Sequence, residues 1–266
     1  MMPAKHAIIF LSHGGGPLPL LDDPRHQPLV SFLRSIPRSL INPKAIVVVS
    51  AHWETPVATI SGAAHPDLLY DYYGFPEASY SIQYPAAGAP ELAQELKNHL
   101  QQAGLDANIN LQRGLDHGVF VPLKRMYPEA NIPCVQLSLV DSLNPATHIQ
   151  LGKALAWLAQ REILLVGSGF SFHNLPAFFG PTSSESQALN QAFEQWLMDT
   201  CCSTDYTEDQ REQKLITWET APGARFCHPR EEHLLPLHVC YGAAHAAAQQ
   251  SFSFEILGKL CSCYLW

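Results

Sequence analysis

The chain has 266 residues, 47% of them hydrophobic and 15% charged, enough to bury one large core. Its formal net charge is -8 with no Lys/Arg cluster, which excludes the basic face that nucleic acid demands. No apolar stretch approaches the roughly 18 residues needed to span a bilayer, and the N-terminus runs into a strand without a cleavable signal pattern, so a cytoplasmic protein without a membrane partner is expected.

In chain order, the first element predicted is a strand over residues 6–11. The run Ile8-Ile9-Phe10-Leu11-Ser12 is short and apolar, reads as a buried parallel strand, and delivers His13. Gly14, Gly15 and Gly16 follow and permit unusual backbone angles and close approach of a ligand. Neither dinucleotide nor P-loop spacing is present, so a histidine before the glycines fits a metal better than a phosphate. A second strand, 45–50, is rich in valine and delivers His52 within Ser-Ala-His-Trp-Glu.

Residues 53–89 show little periodicity and are rich in Pro, Gly and Tyr. Loops this long in compact domains are often functional. Tyr70, Tyr72, Tyr73, Phe75, Tyr80 and Tyr84 either line a pocket or cover the sheet edge. A helix over 90–103 has Pro90 at its start and Gly104 past its end. His117 follows Asp116 at a turn, with two readings: Asp116 caps a helix and His117 is solvated, or His117 is a proton donor or acceptor, imidazole being the usual acid/base group.

A strand at 134–139, a helix at 146–160 and a strand at 162–168 come next; the last leads to His173. Helices are predicted at 185–201 and 231–248, and a late strand near 252–257. Glu231 and Glu232 suit a helix N-terminus electrostatically; either Glu232 or the adjacent His233 could be a ligand, with His228 and His238 weaker candidates. Strands alternating with helices, without repeats or an evident linker, predict a single-domain α/β fold over 1–266. Its central sheet is mixed and largely parallel, flanked by helices, with the metal site at the carboxyl ends of the strands, where such sheets bind ligands.

Seven cysteines, odd in number and without a CxxC pair, argue against a disulfide framework or a thiolate zinc site; Cys261 and Cys263 read as packing thiols. Of the thirteen histidines, His6, His26, His65, His99, His148 and His245 are expected at surface or loop positions. His13 and His52, at equivalent strand ends, point to a metal completed by one further nitrogen or oxygen ligand. That set suits a non-haem Fe(II) oxygenase or a zinc hydrolase, and spacing does not separate the two.

The motifs resemble a known family. Ser-His-Gly-Gly-Gly-Pro (12–17), Val-Val-Val-Ser-Ala-His-Trp (47–53), Tyr-Asp-Tyr-Tyr-Gly-Phe-Pro (70–76), Tyr-Pro-Ala-Ala-Gly (84–88) and Leu-Asp-His-Gly-Val-Phe-Val-Pro-Leu (115–123) occur in order. Met-Tyr-Pro-Glu-Ala-Asn-Ile-Pro-Cys-Val-Gln-Leu-Ser (126–138), Gly-Ser-Gly-Phe-Ser-Phe-His-Asn-Leu (167–175) and His-Pro-Arg-Glu-Glu-His-Leu-Leu-Pro-Leu-His (228–238) follow. Together, from about residue 6 to 257, they resemble the class III extradiol ring-cleavage dioxygenases, in particular the DOPA-4,5-dioxygenase branch.

The resemblance implies His13, His52 and His233 as metal ligands, with Glu232 the alternative to His233. It implies His173 as the active-site base, able to reach the metal when no substrate is bound, and His117 as the second acid/base histidine. It implies Fe(II), with Zn(II) as a substituted form in purified protein. The implied partners are a small catechol, DOPA-like, and O2, with a muconic semialdehyde as product; a homo-oligomer is compatible with all of this. The competing readings are a zinc hydrolase on the same histidines and a non-enzymatic binding protein of the same fold.

Overall fold

Among the described residues, eight strands form one sheet: β1 (Ile8–Ser12), β2 (Ala45–Thr55), β3 (Ala58–Ser61), β4 (Ala107–Asn110), β5 (Cys134–Val140), β6 (Ile163–Gly169), β7 (Gln250–Ile256) and β8 (Lys259–Leu265). Among the described residues, nine α-helices accompany it: α1 (Gln27–Ser35), α2 (Pro90–Gln102), α3 (His117–Met126), α4 (Pro145–Lys153), α5 (Leu175–Phe179), α6 (Ser184–Cys202), α7 (Glu208–Ile216), α8 (Ala224–Cys227) and α9 (Leu235–Ala244). This is a computed structural model, and it describes residues 6–181 and 183–266.

The strand order is β4-β3-β5-β2-β6-β1-β8-β7. β5, β2, β6 and β1 run parallel at the centre, β3 pairs antiparallel with β5 and parallel with β4, and β8 and β7 add antiparallel strands beyond β1. The mixed, largely parallel sheet expected from the sequence is therefore present. Every residue of β1 and β6 is buried, as is β2 from Ala45 to Ala51. Strands covered on both faces need apolar side chains at every position, which is why these runs read as continuous rather than alternating.

Several elements depart from their predicted limits for local reasons. The helix expected at 231–248 starts only at Leu235, where Pro236 sits in its first turn, and ends at His245 with φ 44°. Residues 231–234 form a turn instead. The helix expected at 146–160 stops at Lys153 and continues as a 3-10 segment, Ala156–Arg161. β3 forms inside the segment expected to be irregular, and β4 and β8 were not predicted; β3 and β4 have only four residues each.

The histidines expected at the surface divide. His6, His26 and His148 are buried. Each has a backbone duty: His26 Nε2 accepts from Gly15 N–H at 3.0 Å, and His148 spans Val140 N–H and Asn144 O at the β5–α4 turn. His6 pairs with Leu40 in an isolated bridge. All seven cysteines are free thiols. Among the described residues no helix is long and apolar enough to cross a membrane.

Candidate metal centre

The end of β1, a bulge within β2, the start of α3, the segment after β6 and the turn before α9 build the site. β1 hands over to His13, whose N–H donates to Gly169 O at 2.9 Å and so continues the β1–β6 ladder by one residue. Behind it, Gly14 (φ +89°) and Gly16 (φ +54°) adopt the left-handed backbone that the glycine run permits.

His52 lies inside β2 rather than after it. β2 pairs in register with β5 up to Val49↔Leu137 and resumes at Glu54↔Leu139, so residues 50–53 bulge out of the ladder. A bulge re-aims a side chain, and here it is braced: His52 N–H donates to Ser50 Oγ at 3.2 Å, and Arg113 donates to His52 O at 3.1 Å. Buried Asp116 accepts from Ser50 Oγ at 2.7 Å and from Arg113 at 3.0 Å, and it also accepts from Gln136. The Asp116 side chain thus faces inward and does not cap α3, and His117 is buried rather than solvated.

His233 arrives on the turn before α9. Its carbonyl accepts from Phe170 N–H at 2.9 Å, and a Cβ on Gly169 would lie 2.1 Å from that oxygen. Only glycine at the end of β6 allows this approach. His173 lies four residues beyond β6, its N–H bonded to Cys227 O at 2.9 Å and its ring stacked on His233 at 3.3 Å between centroids.

The structure brings all five predicted histidines together. Nε2 of His52 lies 3.1 Å from Nε2 of His13 and 3.3 Å from Nε2 of His233. The Nδ1 atoms of His13 and His233 are engaged elsewhere. Ser168 Oγ spends its proton on Gly118 O, so it accepts from His13 Nδ1–H at 3.0 Å. Glu232 Oε1 accepts from His233 Nδ1–H at 2.9 Å. Protons on these Nδ1 atoms leave Nε2 lone pairs on His13 and His233, both aimed at Nε2 of His52. Metal–nitrogen bonds of about 2.1 Å set at roughly 90–110° place ligand nitrogens about 3.0–3.4 Å apart, so the donor set fits a divalent cation. Burial, reinforced by the neighbouring imidazoles, holds His13 and His52 well below the ordinary imidazole range and His233 down to about 3. Neutral imidazole is the ligating form.

Two carboxylates stand behind the rings. Glu232 Oε1 is also 3.2 Å from His173 Nδ1, and its other oxygen is 3.4 Å from Arg230. Burial raises the Glu232 carboxyl, but the hydrogen bonds from His173 and His233 outweigh it, and the group stays well below the usual carboxylate range. Asp71 Oδ1 lies 2.7 Å from His117 Nδ1 and 3.0 Å from its backbone N–H. Burial raises Asp71 too, and the bonds from His117 bring it below its ordinary value. His52, Asp71 and His117, and separately His173, Glu232 and His233, form further groupings of potential ligand atoms. Asp71, Ser168 and Arg230 were not singled out from the sequence; Asp71 lies in the tyrosine-rich segment, whose spatial partners no periodicity reveals.

The site opens into a cavity of about 910 Å³ lined by the five histidines and by Tyr72, Tyr73, Phe75, Phe170 and Phe178. Tyr70 and Tyr84 do not line it; Tyr70 donates its hydroxyl to Ile82 O at 2.6 Å and Tyr84 is buried. His228 and His238 are buried away from the cluster, bonded to Ser171 O and to Leu215 and Leu234 carbonyls.

Comparison with known proteins agrees with this architecture. A dioxygenase of Hapsidospora irregularis, tasH, is 42% identical over a 277-residue alignment covering 97% of this chain and 85% of that protein. A 4,5-DOPA dioxygenase extradiol of Mirabilis jalapa is 37% identical, covering 88% of this chain and 85% of its own length, and one of Escherichia coli K12 is 34% identical, covering 91% and 87%. The crystal structure of an uncharacterized Escherichia coli K12 protein superposes with a TM-score of 0.77 at 29% identity, covering 98% of this chain and 100% of that one. Residues 7–265 match the family described as the catalytic LigB subunit of aromatic ring-opening dioxygenase. The chain belongs to that family of metal-dependent, extradiol ring-opening dioxygenases.

Proposed function

We propose that this protein is a non-haem Fe(II) extradiol dioxygenase that opens the ring of a DOPA-like catechol with O2, giving a muconic semialdehyde. One observation carries the reading: three Nε2 atoms converge, with Nδ1 of His13 and of His233 engaged elsewhere, at the floor of an aromatic cavity. His13, His52 and His233 hold the metal, and the two remaining histidines handle protons. The bound ferrous ion supplies a Lewis-acidic, redox-active centre for catechol and O2.

His173 acts as the base. With Nδ1 bonded to Glu232, its Nε2 is the nitrogen left to accept a catechol proton, and the carboxylate behind it stabilises the resulting imidazolium. His117, backed in the same way by Asp71, takes the second catechol proton at Nε2 and returns it as the ring opens. Tyr72, Phe75 and Phe170 hold the flat ring and exclude water. Glu232 has its oxygens turned to two imidazole Nδ1 atoms and Arg230, which favours His233 as the third ligand.

The deciding experiment loads the protein anaerobically with Fe(II), admits O2, and follows a catechol panel that includes L-DOPA. A yellow ring-opened product and stoichiometric O2 uptake are expected. Absence of both across the panel overturns the reading.

A further inference from the structure

The two acid/base histidines are each backed by a carboxylate that also reaches a neighbouring imidazole of the cluster. Glu232 Oε1 lies 2.9 Å from His233 Nδ1 and 3.2 Å from His173 Nδ1. Asp71 repeats the arrangement across the cavity: Oδ1 is 2.7 Å from His117 Nδ1, and Oδ2 is 3.9 Å from His52 Nδ1. Glu232 is next to His233 in sequence, so its position follows from the turn they share. Asp71 comes from a distant irregular segment, 46 residues from His117, and its placement needs a separate explanation.

Part of that explanation is structural. Asp71 accepts the His117 backbone N–H at 3.0 Å and so satisfies the first turn of α3, which Asp116 does not cap. That duty needs one acceptor for the backbone N–H alone. It does not require a carboxylate that also takes the ring N–H of the same histidine.

We propose that Asp71 is the positioning residue for His117: its acceptor-only carboxylate keeps the proton on Nδ1, leaves Nε2 bare toward the cavity, and ties that imidazole to the segment carrying the aromatic wall. The inference rests on the reading of His117 as a proton-transfer group. Oδ1 accepts the backbone N–H and faces Nδ1 at the same time, so it is held as an acceptor and admits one tautomer of the ring. Tyr72, Tyr73 and Phe75 follow Asp71 directly and line the cavity. The contact that sets the tautomer therefore also fixes where the wall stands.

The test compares wild type with Asp71→Ala and Asp71→Asn, assaying the Fe(II) holoenzyme and recording histidine side-chain nitrogen-15 NMR on the Zn(II)-loaded, diamagnetic protein. For Asp71→Ala the expected result is full metal content, KM within about twofold, and kcat lower by about 100-fold. The His117 signal changes from the Nδ1–H pattern to a mixture, and Asp71→Asn, whose amide oxygen takes the place of Oδ1, restores the tautomer and part of kcat. An unchanged tautomer with unchanged kcat overturns the proposal, as does a loss of activity that only tracks loss of metal. If wild type opens no catechol, the dioxygenase reading fails, while the tautomer comparison still decides the role of Asp71.

Discussion

The Nε2 atoms of His13 and His52 face each other at 3.1 Å, from the end of β1 and from the bulge of β2. With Nδ1 of His13 donating to Ser168, the His13 lone pair points at its neighbour. Such a contact suits a cation between the two nitrogens or a proton on Nε2 of His52, and a bound metal replaces that proton. We predict that His13→Ala, His52→Ala and His233→Ala each lose bound metal after dialysis against a weak chelator, measured by elemental analysis. Full metal retention by His233→Ala would shift the third-ligand role to Glu232.

His173 differs in kind, because its ring stacks on His233 and its Nδ1 is held by Glu232. His173→Ala is expected to retain most of the metal and to lose about 100- to 10,000-fold in kcat, the usual contribution of a positioned acid or base. Paired metal analysis and single-turnover kinetics check this. Metal loss equal to that of His13→Ala would place His173 among the ligands.

Ser168 fixes the His13 tautomer without touching the cavity. Its hydroxyl donates to Gly118 O and accepts from His13 Nδ1–H. Removing such an outer partner typically costs 10- to 100-fold in metal affinity. Ser168→Ala should weaken metal binding by about that factor, read by competition with a chromophoric chelator, while circular dichroism stays unchanged.

The strand ends were legible because burial on both faces imposes unbroken apolar runs, and β1, β2, β5 and β6 follow theirs closely. The arrival of His13 and His52 at one place follows from parallel strands sharing an edge. Other features depend on contacts distant in sequence. The β2 bulge is held by Ser50, Arg113 and Asp116, which are far apart in the chain. Asp71 lies in a segment without periodicity, and the burial of His26 and His148 reflects backbone partners that no pattern announces. Glu232 and His233 are neighbours, so spacing alone could not separate them; the turn before Pro236, not a helix, sets which one faces the strand ends.

Tyr73 is 91% exposed yet lines the cavity, whereas Tyr72 beside it is buried with its hydroxyl on Ser79 O at 2.7 Å. An exposed ring contributes little to folding. Tyr73→Ala is expected to leave the melting temperature unchanged and to raise KM several-fold, with a smaller effect on kcat. Tyr72→Ala should lower stability as well, by about 3 kcal/mol as for a buried aromatic. Denaturant melts and steady-state kinetics on both variants separate these outcomes, and an unchanged KM for Tyr73→Ala would place the substrate elsewhere.

Glu194 on α6 makes stability pH-dependent from outside the site. Its Oε2 accepts from Ser262 Oγ at 2.6 Å, while its buried Oε1 has no hydrogen-bond partner. Burial pushes this carboxyl up to about 7 against the hydroxyl donors of Ser171 and Ser262. In the unfolded chain it titrates near 4.5, so between about 4.5 and 7 the folded state holds a proton that the unfolded state has released. Stability from this group is intact below that window, falls as pH rises through it, and is reduced by about 3 kcal/mol above it. Glu194→Gln mimics the protonated carboxyl. It should match wild type near pH 4.5, exceed it at pH 8, and flatten the curve between, as measured by urea midpoints across that range. Parallel curves for the two proteins would show that Glu194 is ionised in the folded state throughout.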